Sequence, residues 1–366
     1  MNILYLAFAR IPTEKAHGIQ IMKTCEAFSE RGATVTLCVP GRNTEIVSDA
    51  FSFYNVKKTF EICVAKVPDF VRFGPLGFFI SLVLFSERMV WKKIFWSADV
   101  IFSRDASVLL QYLLLGRRLV YEAHTAPTGI SKMVARRAWK VITISEGLKA
   151  AYVKAGVPEQ NILVAHDAVD LDDFAGKTFD KGAVREKLGI PRDVSVAMYI
   201  GRVDPWKGVK TFLEASKVVP DVRFVVVGEG SQLQEFKKEY LEVIFAGPTP
   251  YAILSEVQHA ANVLVVPNSA LDENSKLYTS PLKVFAHMNA EAPLIASDLP
   301  SLREVLNESN AYLVTPDDPE ALAQSIESAL ERKAEAKAKS DQASKDVVQY
   351  SWDKRADRIL GFLKSN

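Results

Sequence analysis

The sequence predicts an α/β chain of two successive parallel-sheet domains. Short β-rich runs alternate with helical patterns, the alternation occurs twice, and a polar stretch separates the two series. In the first series, strands are expected at Ile3–Ala7, Ala33–Val39, Val100–Phe102, Leu119–Ala123, Val141–Ile144 and Ile162–Ala165, with helical stretches such as Ile19–Arg31 and Glu146–Ala155 between them. In the second they are expected at Val194–Ile200, Arg223–Val227, Val243–Phe245, Val263–Val266, Leu294–Ala296 and Tyr312–Val314. Strands spaced by helices wind helices onto both faces of a sheet, so each half reads as a Rossmann-like layer with ligands at the carboxyl ends of its strands. Asp167–Lys181 is the expected hinge, and the Ala- and Lys-rich Glu331–Lys345 stretch reads as an exposed helix.

Size and composition agree with this layout. At 366 residues the chain exceeds what one core usually organises, and 48% hydrophobic with 24% charged residues is ordinary for a globular protein. Lys+Arg 45 against Asp+Glu 44 leaves a net charge of +1, so no basic field exists to attract nucleic acid. Cys25, Cys38 and Cys63 are odd in number, far apart in sequence and set in apolar contexts, which reads as buried thiols in a reducing cytosol. Met1–Phe8 enters a strand pattern without a charged leader, so no signal peptide is expected.

The most informative stretch for chemistry is Gly201-Arg202-Val203-Asp204-Pro205-Trp206-Lys207-Gly208, which follows the apolar run Val194–Ile200 and opens a helical pattern at Val209, Phe212 and Leu213. A strand ending in glycine, two cations five residues apart and a helix start suit a diphosphate, because free amides and the positive helix end face the ligand. The alternative is a surface loop with two solvated cations. After the first strand the chain reads Phe8-Ala9-Arg10-Ile11-Pro12-Thr13-Glu14-Lys15-Ala16-His17-Gly18, without the closely spaced glycines of a dinucleotide fingerprint, and no Walker motif occurs. A dehydrogenase and a phosphate-hydrolysing motor are therefore disfavoured.

Several blocks in order carry a family resemblance: Tyr121-Glu122-Ala123-His124, Val141 to Lys149, His166-Asp167-Ala168-Val169-Asp170-Leu171, Gly201-Arg202 with Lys207-Gly208, Ser280-Pro281-Leu282-Lys283-Val284-Phe285, Pro293 to Glu304, and the closing Tyr350-Ser351-Trp352-Asp353. Together they resemble a retaining glycosyltransferase of family 4 with the GT-B fold. The resemblance implies two doubly wound domains facing a cleft. Residues 1–168 would form an acceptor domain and 173–349 a nucleotide-sugar domain, with the last helix, 350–366, crossing back to the first.

By this resemblance the donor is a nucleotide diphosphate sugar, UDP- or GDP-linked, with Arg202 and Lys207 on its phosphates. These cations would stabilise the charge that the leaving group gains, so no metal cofactor is expected. Gly201 and the backbone at Ser280, Leu282 and Lys283, where a helix starts after Pro281, complete the expected donor site. His124, at a strand end facing the cleft, would contact the donor sugar near the reacting centre. Glu14, Lys15, His17 and Gly18 are the expected acceptor and phosphate loop, Gly18 letting backbone approach a ligand; the alternative is a mobile surface loop. Asp170-Leu171-Asp172 matches an Asp-x-Asp metal pattern but falls in the hinge, where Asp172 or Asp173 is better read as starting a turn before Phe174.

Two departures stand out. Where the family usually carries two glutamates eight positions apart, this chain has Tyr278 and Ala286. Asp272 and Glu273 are the nearest substitutes for the first. Losing the second removes an acceptor for a ribose hydroxyl and should weaken donor binding by about 1 to 3 kcal/mol. The readings left open are an active transferase acting on a glycan or lipid-linked acceptor, a silent homologue that binds nucleotide or a partner, and a relative that remodels a nucleotide sugar. Finally, Phe73–Phe85 is uncharged but shorter than the ~20 residues of a spanning helix. With Arg88, Trp91, Lys92, Lys93 and Trp96 it reads either as a peripheral contact with the inner face of a membrane or as a helix packed on its own domain.

Overall fold

The computed structural model describes residues 1–42, 46–173 and 177–365; Phe174 lies outside the described residues. The chain divides into two compact units, Met1–His166 with Trp352–Asn366, and Asp167–Ser351.

The first unit is built on a seven-stranded sheet: β1 (Asn2–Leu6), β2 (Thr34–Pro40), β3 (Glu61–Ala65), β4 (Val100–Ser103), β5 (Leu119–Ala123), β6 (Lys140–Thr143) and β7 (Ile162–Val164). The order is β3-β2-β1-β4-β5-β6-β7, and every pairing is parallel. Six of the seven strands fall within a residue or two of their expected places, because each is an apolar run buried on both faces. The edge strand β3 was not among the expected strands, although Ile62 to Ala65 is an apolar run; at the sheet edge only Ala65 of it is buried. Cys63 on β3 stands in register with Cys38 on β2, so two thiols distant in sequence are neighbours, and only Cys25 and Cys38 are buried.

The helix expected around Ile19–Arg31 spans Ala16–Glu30 and follows β1. The terminal helix, Trp352–Lys364, packs against it within this unit. Its buried residues Trp352, Arg355, Ala356, Ile359, Leu360 and Leu363 recur at spacings of three and four, the stripe of an amphipathic helix. The apolar segment near Phe73 forms a helix over Gly74–Val90, preceded by a helical turn at Val71–Phe73. The combined 20-residue stretch is long and apolar enough to cross a membrane, with a third of it buried, which corrects the shorter length read from the uncharged residues alone. Leu82, Phe85 and Met89 lie in the unit's core.

The second unit has six strands: β8 (Ser195–Ile200), β9 (Val222–Val227), β10 (Ile244–Gly247), β11 (Val263–Val266), β12 (Leu294–Ser297) and β13 (Tyr312–Val314). They lie in the order β10-β9-β8-β11-β12-β13, again all parallel. Two helices, Pro319–Glu331 and Lys333–Asp346, meet at Arg332, and the second is the expected Glu331–Lys345 helix. The second buries Ala336, Ser340 and Ala343 and so is not wholly exposed.

The unit starts at Asp167, whose amide donates to Ser280 Oγ at 3.0 Å. Val169 donates to Tyr350 O at 3.0 Å, so the first residues of the expected hinge are fastened into this unit. Leu171–Asp173 forms a short helical turn in which Asp170 Oδ1 accepts from Asp172 N at 3.1 Å, so the carboxylate that starts the turn is Asp170 and not the expected Asp172 or Asp173.

Candidate functional sites in each unit

Both sheets reverse their winding once, between β1 and β4 in the first and between β8 and β11 in the second. Loops leaving adjacent strands at such a point part in opposite directions and open a crevice at the carboxyl edge. In each unit the candidate residues gather there.

In the second unit, Gly201 ends β8 with φ 145°, a conformation open to glycine and strained for other residues. A side chain at Gly201 would come within 3.5 Å of Lys283 Nζ and 3.2 Å of the Tyr199 hydroxyl. Gly208, at φ 67°, packs so closely on the loop after β11 that a Cβ would lie 1.6 Å from Pro267 O. These contacts hold the two loops together. On them, Lys207 Nζ sits 3.5 Å from the centre of the Trp206 ring, and Lys283 Nζ lies 4.1 Å from that of Tyr199. The Lys283 ammonium is buried and has no hydrogen-bond partner among the described residues.

The electrostatics follow from that burial. Desolvation holds the Lys283 pKa well below the usual range, with Lys207 adding to the effect. Lys207 is pushed down to about 8, mainly by burial and also by Arg202, although Asp204 and Asp272 act the other way. Two neighbouring ammonium groups with one lacking a counter-charge form a site that gains from an anion.

Arg202 is placed differently from expectation. Its guanidinium is about half exposed and pairs with Asp204, Nε to Oδ2 at 2.7 Å, while Asp204 also accepts from Ser231. An anion would recruit Arg202 only in competition with this carboxylate. Lys283, expected to contribute its backbone, instead brings the buried charge.

The helix after Pro281 spans Leu282–Met288 and leaves its first amides without helical partners. Ser280 is buried and its hydroxyl is committed to Asp167. Ala286 packs in a core cluster with Val169, Leu294 and Leu302, while Tyr278 closes the turn Asn274–Tyr278 before the helix. Asp272 acts on Lys207 but also accepts from Ser275 N at 2.8 Å. Asn268, fully buried in the loop after β11, has neither amide atom hydrogen-bonded among the described residues; no sequence pattern singled it out.

In the first unit, β5 delivers Glu122 and His124 to the sheet edge. Glu122 is wholly buried; its Oε1 accepts from Arg355 Nη2 at 2.5 Å and from Gln20 Nε2 at 2.5 Å, and lies 3.2 Å from His124 Nε2. Burial alone would raise its pKa, but Arg355 foremost, then His124 and Arg104, hold it below the usual carboxylate range. Glu122 and Arg355 therefore set the orientation of His124. Neither was assigned a role from sequence, although a glutamate inside the buried run Leu-Val-Tyr-Glu-Ala requires a partner.

The loop after β1 is anchored rather than mobile. The Tyr54 hydroxyl accepts from Thr13 N at 2.6 Å and donates to Thr13 O at 2.7 Å. Gly18 makes room for that hydroxyl, which would stand 2.1 Å from a Cβ there, so its missing side chain serves packing and not a ligand's approach. Glu14 is exposed and pairs with Arg10 at 3.0 Å. Lys15 and His17 line a cleft of about 520 Å³ at the β1–β4 switch point, together with Arg10, Arg42, Arg72 and Arg104. Among the described residues no group of three or more His, Cys, Asp or Glu converges as a metal site.

Comparison with known proteins agrees with this anatomy. Residues 18–173 match the family described as Glycosyltransferase Family 4, and residues 195–332 match Glycosyl transferases group 1. The chain belongs to the family 4 glycosyltransferases. The D-inositol 3-phosphate glycosyltransferase of Mycobacterium leprae is 28% identical over 214 residues, 54% of this chain and 47% of that protein. The match thus spans about half the length of that relative. Anabaena Alr3699/HepE, solved in complex with UDP-glucose, superposes with a TM-score of 0.75 at 18% identity, covering 100% of both chains. Sucrose-phosphate synthase from Thermosynechococcus elongatus gives 0.77 at 18% identity over 99% of this chain and 98% of that one. At such identities these likenesses establish the GT-B fold. This family 4 chain is therefore a GT-B protein of two Rossmann-like units.

Proposed function

We propose that this family 4 protein transfers a sugar from a UDP- or GDP-linked donor to a glycan or lipid-linked acceptor, with retention of anomeric configuration and without a metal. The observation that carries the reading is the Lys207–Lys283 pair at the β8–β11 switch point. Its charge suits a nucleoside diphosphate leaving group, whose negative charge grows as the glycosidic bond breaks. The complex of HepE with UDP-glucose is consistent with such a donor. Glu122 orients His124, and His124 is the group proposed to act near the reacting sugar.

Titration with UDP, GDP and their sugars, followed by thermal unfolding, tests the donor half. One nucleotide should raise the Tm, because a ligand that binds only the folded state stabilises it, and Arg202→Ala with Lys207→Ala should remove the shift. His124→Ala should keep the nucleotide shift yet lower kcat by about 10²-fold or more. A nucleotide shift without any sugar transfer by the wild type would favour a silent binding protein, which the alanine at 286 would suit. Product formed without acceptor would favour a nucleotide-sugar remodelling enzyme.

We further propose that the protein works at the inner, cytoplasmic face of a membrane. On the Val71–Val90 stretch and the segment after it, Phe73, Leu76, Phe79, Trp91 and Trp96 are exposed, Leu76 by 71% and Trp91 by 81%. Arg72, Arg88 and Lys93 are exposed beside them, a combination suited to anionic lipid. Flotation with phosphatidylglycerol vesicles should carry the wild type and leave a Leu76→Ser, Trp91→Ser variant behind; equal sedimentation of both would end the idea.

A further inference from the structure

The cleft at the β1–β4 switch point carries more positive charge than a neutral sugar acceptor requires. Arg10, Lys15, Arg42, Arg72 and Arg104 line it, against the carboxylates Asp69 and Asp105. Arg10 is answered by Glu14. Arg42 lies 4.0 Å from Asp69, at the limit of an ion pair, and over the Phe8 ring at 4.3 Å; its Nη2 is buried and has no partner among the described residues. Arg104 Nη1 donates at 2.9 Å to Gln20 Oε1, a neutral acceptor. Asp105 accepts from Phe8 N at 2.7 Å and also faces Arg42 and Arg104, so it offsets part of their charge.

We propose that the acceptor taken by this unit carries a phosphoryl group, held in the cleft by Arg42, Arg72 and Arg104. The assignment rests on the transferase reading, since it names the substrate class of the acceptor half. Three guanidinium groups from the loops after β2, β3 and β4 surround one cavity, and each offers a planar pair of donors that fits phosphate oxygens. The Ala16–Glu30 helix adds an N-terminus with no side-chain cap and no acidic residue in its first turn. His17, in that turn, is pushed down to about 4 by burial, then by Arg104, Lys15 and His124, as expected where cations outnumber carboxylates. A phosphoryl group would balance the cations that Asp69 and Asp105 leave in excess.

The test uses inorganic phosphate as probe and thermal unfolding as readout, against chloride at equal ionic strength and with UDP as a separate arm. The wild type should show a saturable phosphate shift additive to the UDP shift. Arg42→Met, Arg104→Met and the exposed, structurally tolerant Arg72→Ser should each weaken phosphate binding about tenfold while leaving the UDP shift in place. Glycerol 3-phosphate and phosphatidic acid vesicles, run against the same variants, tell a free phosphate ester from a lipid-borne one. A phosphate shift that is absent, unchanged in all three variants or abolished by saturating UDP overturns the proposal. A UDP arm without any shift, beside a phosphate arm that behaves as described, removes the donor reading and leaves the anion site standing.

Discussion

Lys283→Met is expected to raise the Tm of the ligand-free protein and, in the same variant, to remove most of its affinity for a nucleoside diphosphate. The two effects have one cause. The wild-type ammonium is buried over the Tyr199 ring without a hydrogen-bond partner among the described residues, so the folded state carries a desolvation cost that methionine of similar shape does not. Relief of about 1–3 kcal/mol would appear as a gain of several degrees in a domain of this size. A diphosphate, in contrast, loses a charge-assisted contact of about 1.5–3 kcal/mol, roughly ten- to hundredfold or somewhat more in Kd.

The pH dependence supplies an independent check with a defined sign. Lys207 titrates near 8 in the folded protein against 10.5 for its ordinary value, and Lys283 is also depressed, so the unfolded chain binds more protons over that interval. Stability of the ligand-free wild type should therefore rise between about pH 8 and 10.5. Lys283→Met should flatten part of that rise. With nucleotide bound, both ammonium groups gain a counter-charge and take up protons, so affinity should fall as pH climbs above about 8. Urea unfolding across this range, with and without UDP, measures both slopes. A variant less stable than wild type, with unchanged nucleotide affinity, would show Lys283 to be an ordinary packing residue.

How much of this was legible in the sequence depended on where each signal lay. Strands buried on both faces, such as Val263–Val266, announce themselves as apolar runs and fall where expected, and Leu119–Ala123 does so despite Glu122. Strand β3 carries the short run Ile62 to Ala65 but sits at an edge, where only Ala65 is buried. Gly201 and Lys207 were visible as a local pattern after a strand. Lys283 was visible only as part of a helix start, because its neighbours Tyr199 and Gly201 are about 80 residues earlier and meet it through the β8 edge. Gly18 shows the same limit from the other side. A glycine before a helix suggested an approach for ligand, and the space is filled by the Tyr54 hydroxyl from 36 residues later. The carboxylate that orients His124 stood two residues away in plain view, but its significance lay in Arg355, 233 residues on.

That last pairing yields the second large expected effect. Arg355→Met should destabilise the protein by about 3–5 kcal/mol, because it strands a fully buried carboxylate instead of merely deleting a contact. The terminal helix would also lose three bonds that tie it to its own unit, Arg355 Nε to His166 O at 2.9 Å, Nη1 to Thr24 Oγ1 at 3.5 Å and Nη2 to Glu122 Oε1 at 2.5 Å. In the wild type the Glu122 pKa is depressed, so its contribution is present above the ordinary carboxylate range and is lost only as pH falls through the folded value. In Arg355→Met burial dominates and raises that pKa, so the variant's deficit should be largest near neutrality. It should shrink as the solution is acidified toward about 4.5, where Glu122 takes a proton. Adding Glu122→Gln to Arg355→Met should recover much of the stability while leaving His124 without its carboxylate, and hence leave transfer impaired. Refolded stability with restored transfer in the double variant would mean that Glu122 serves the fold alone and that His124 does not depend on it.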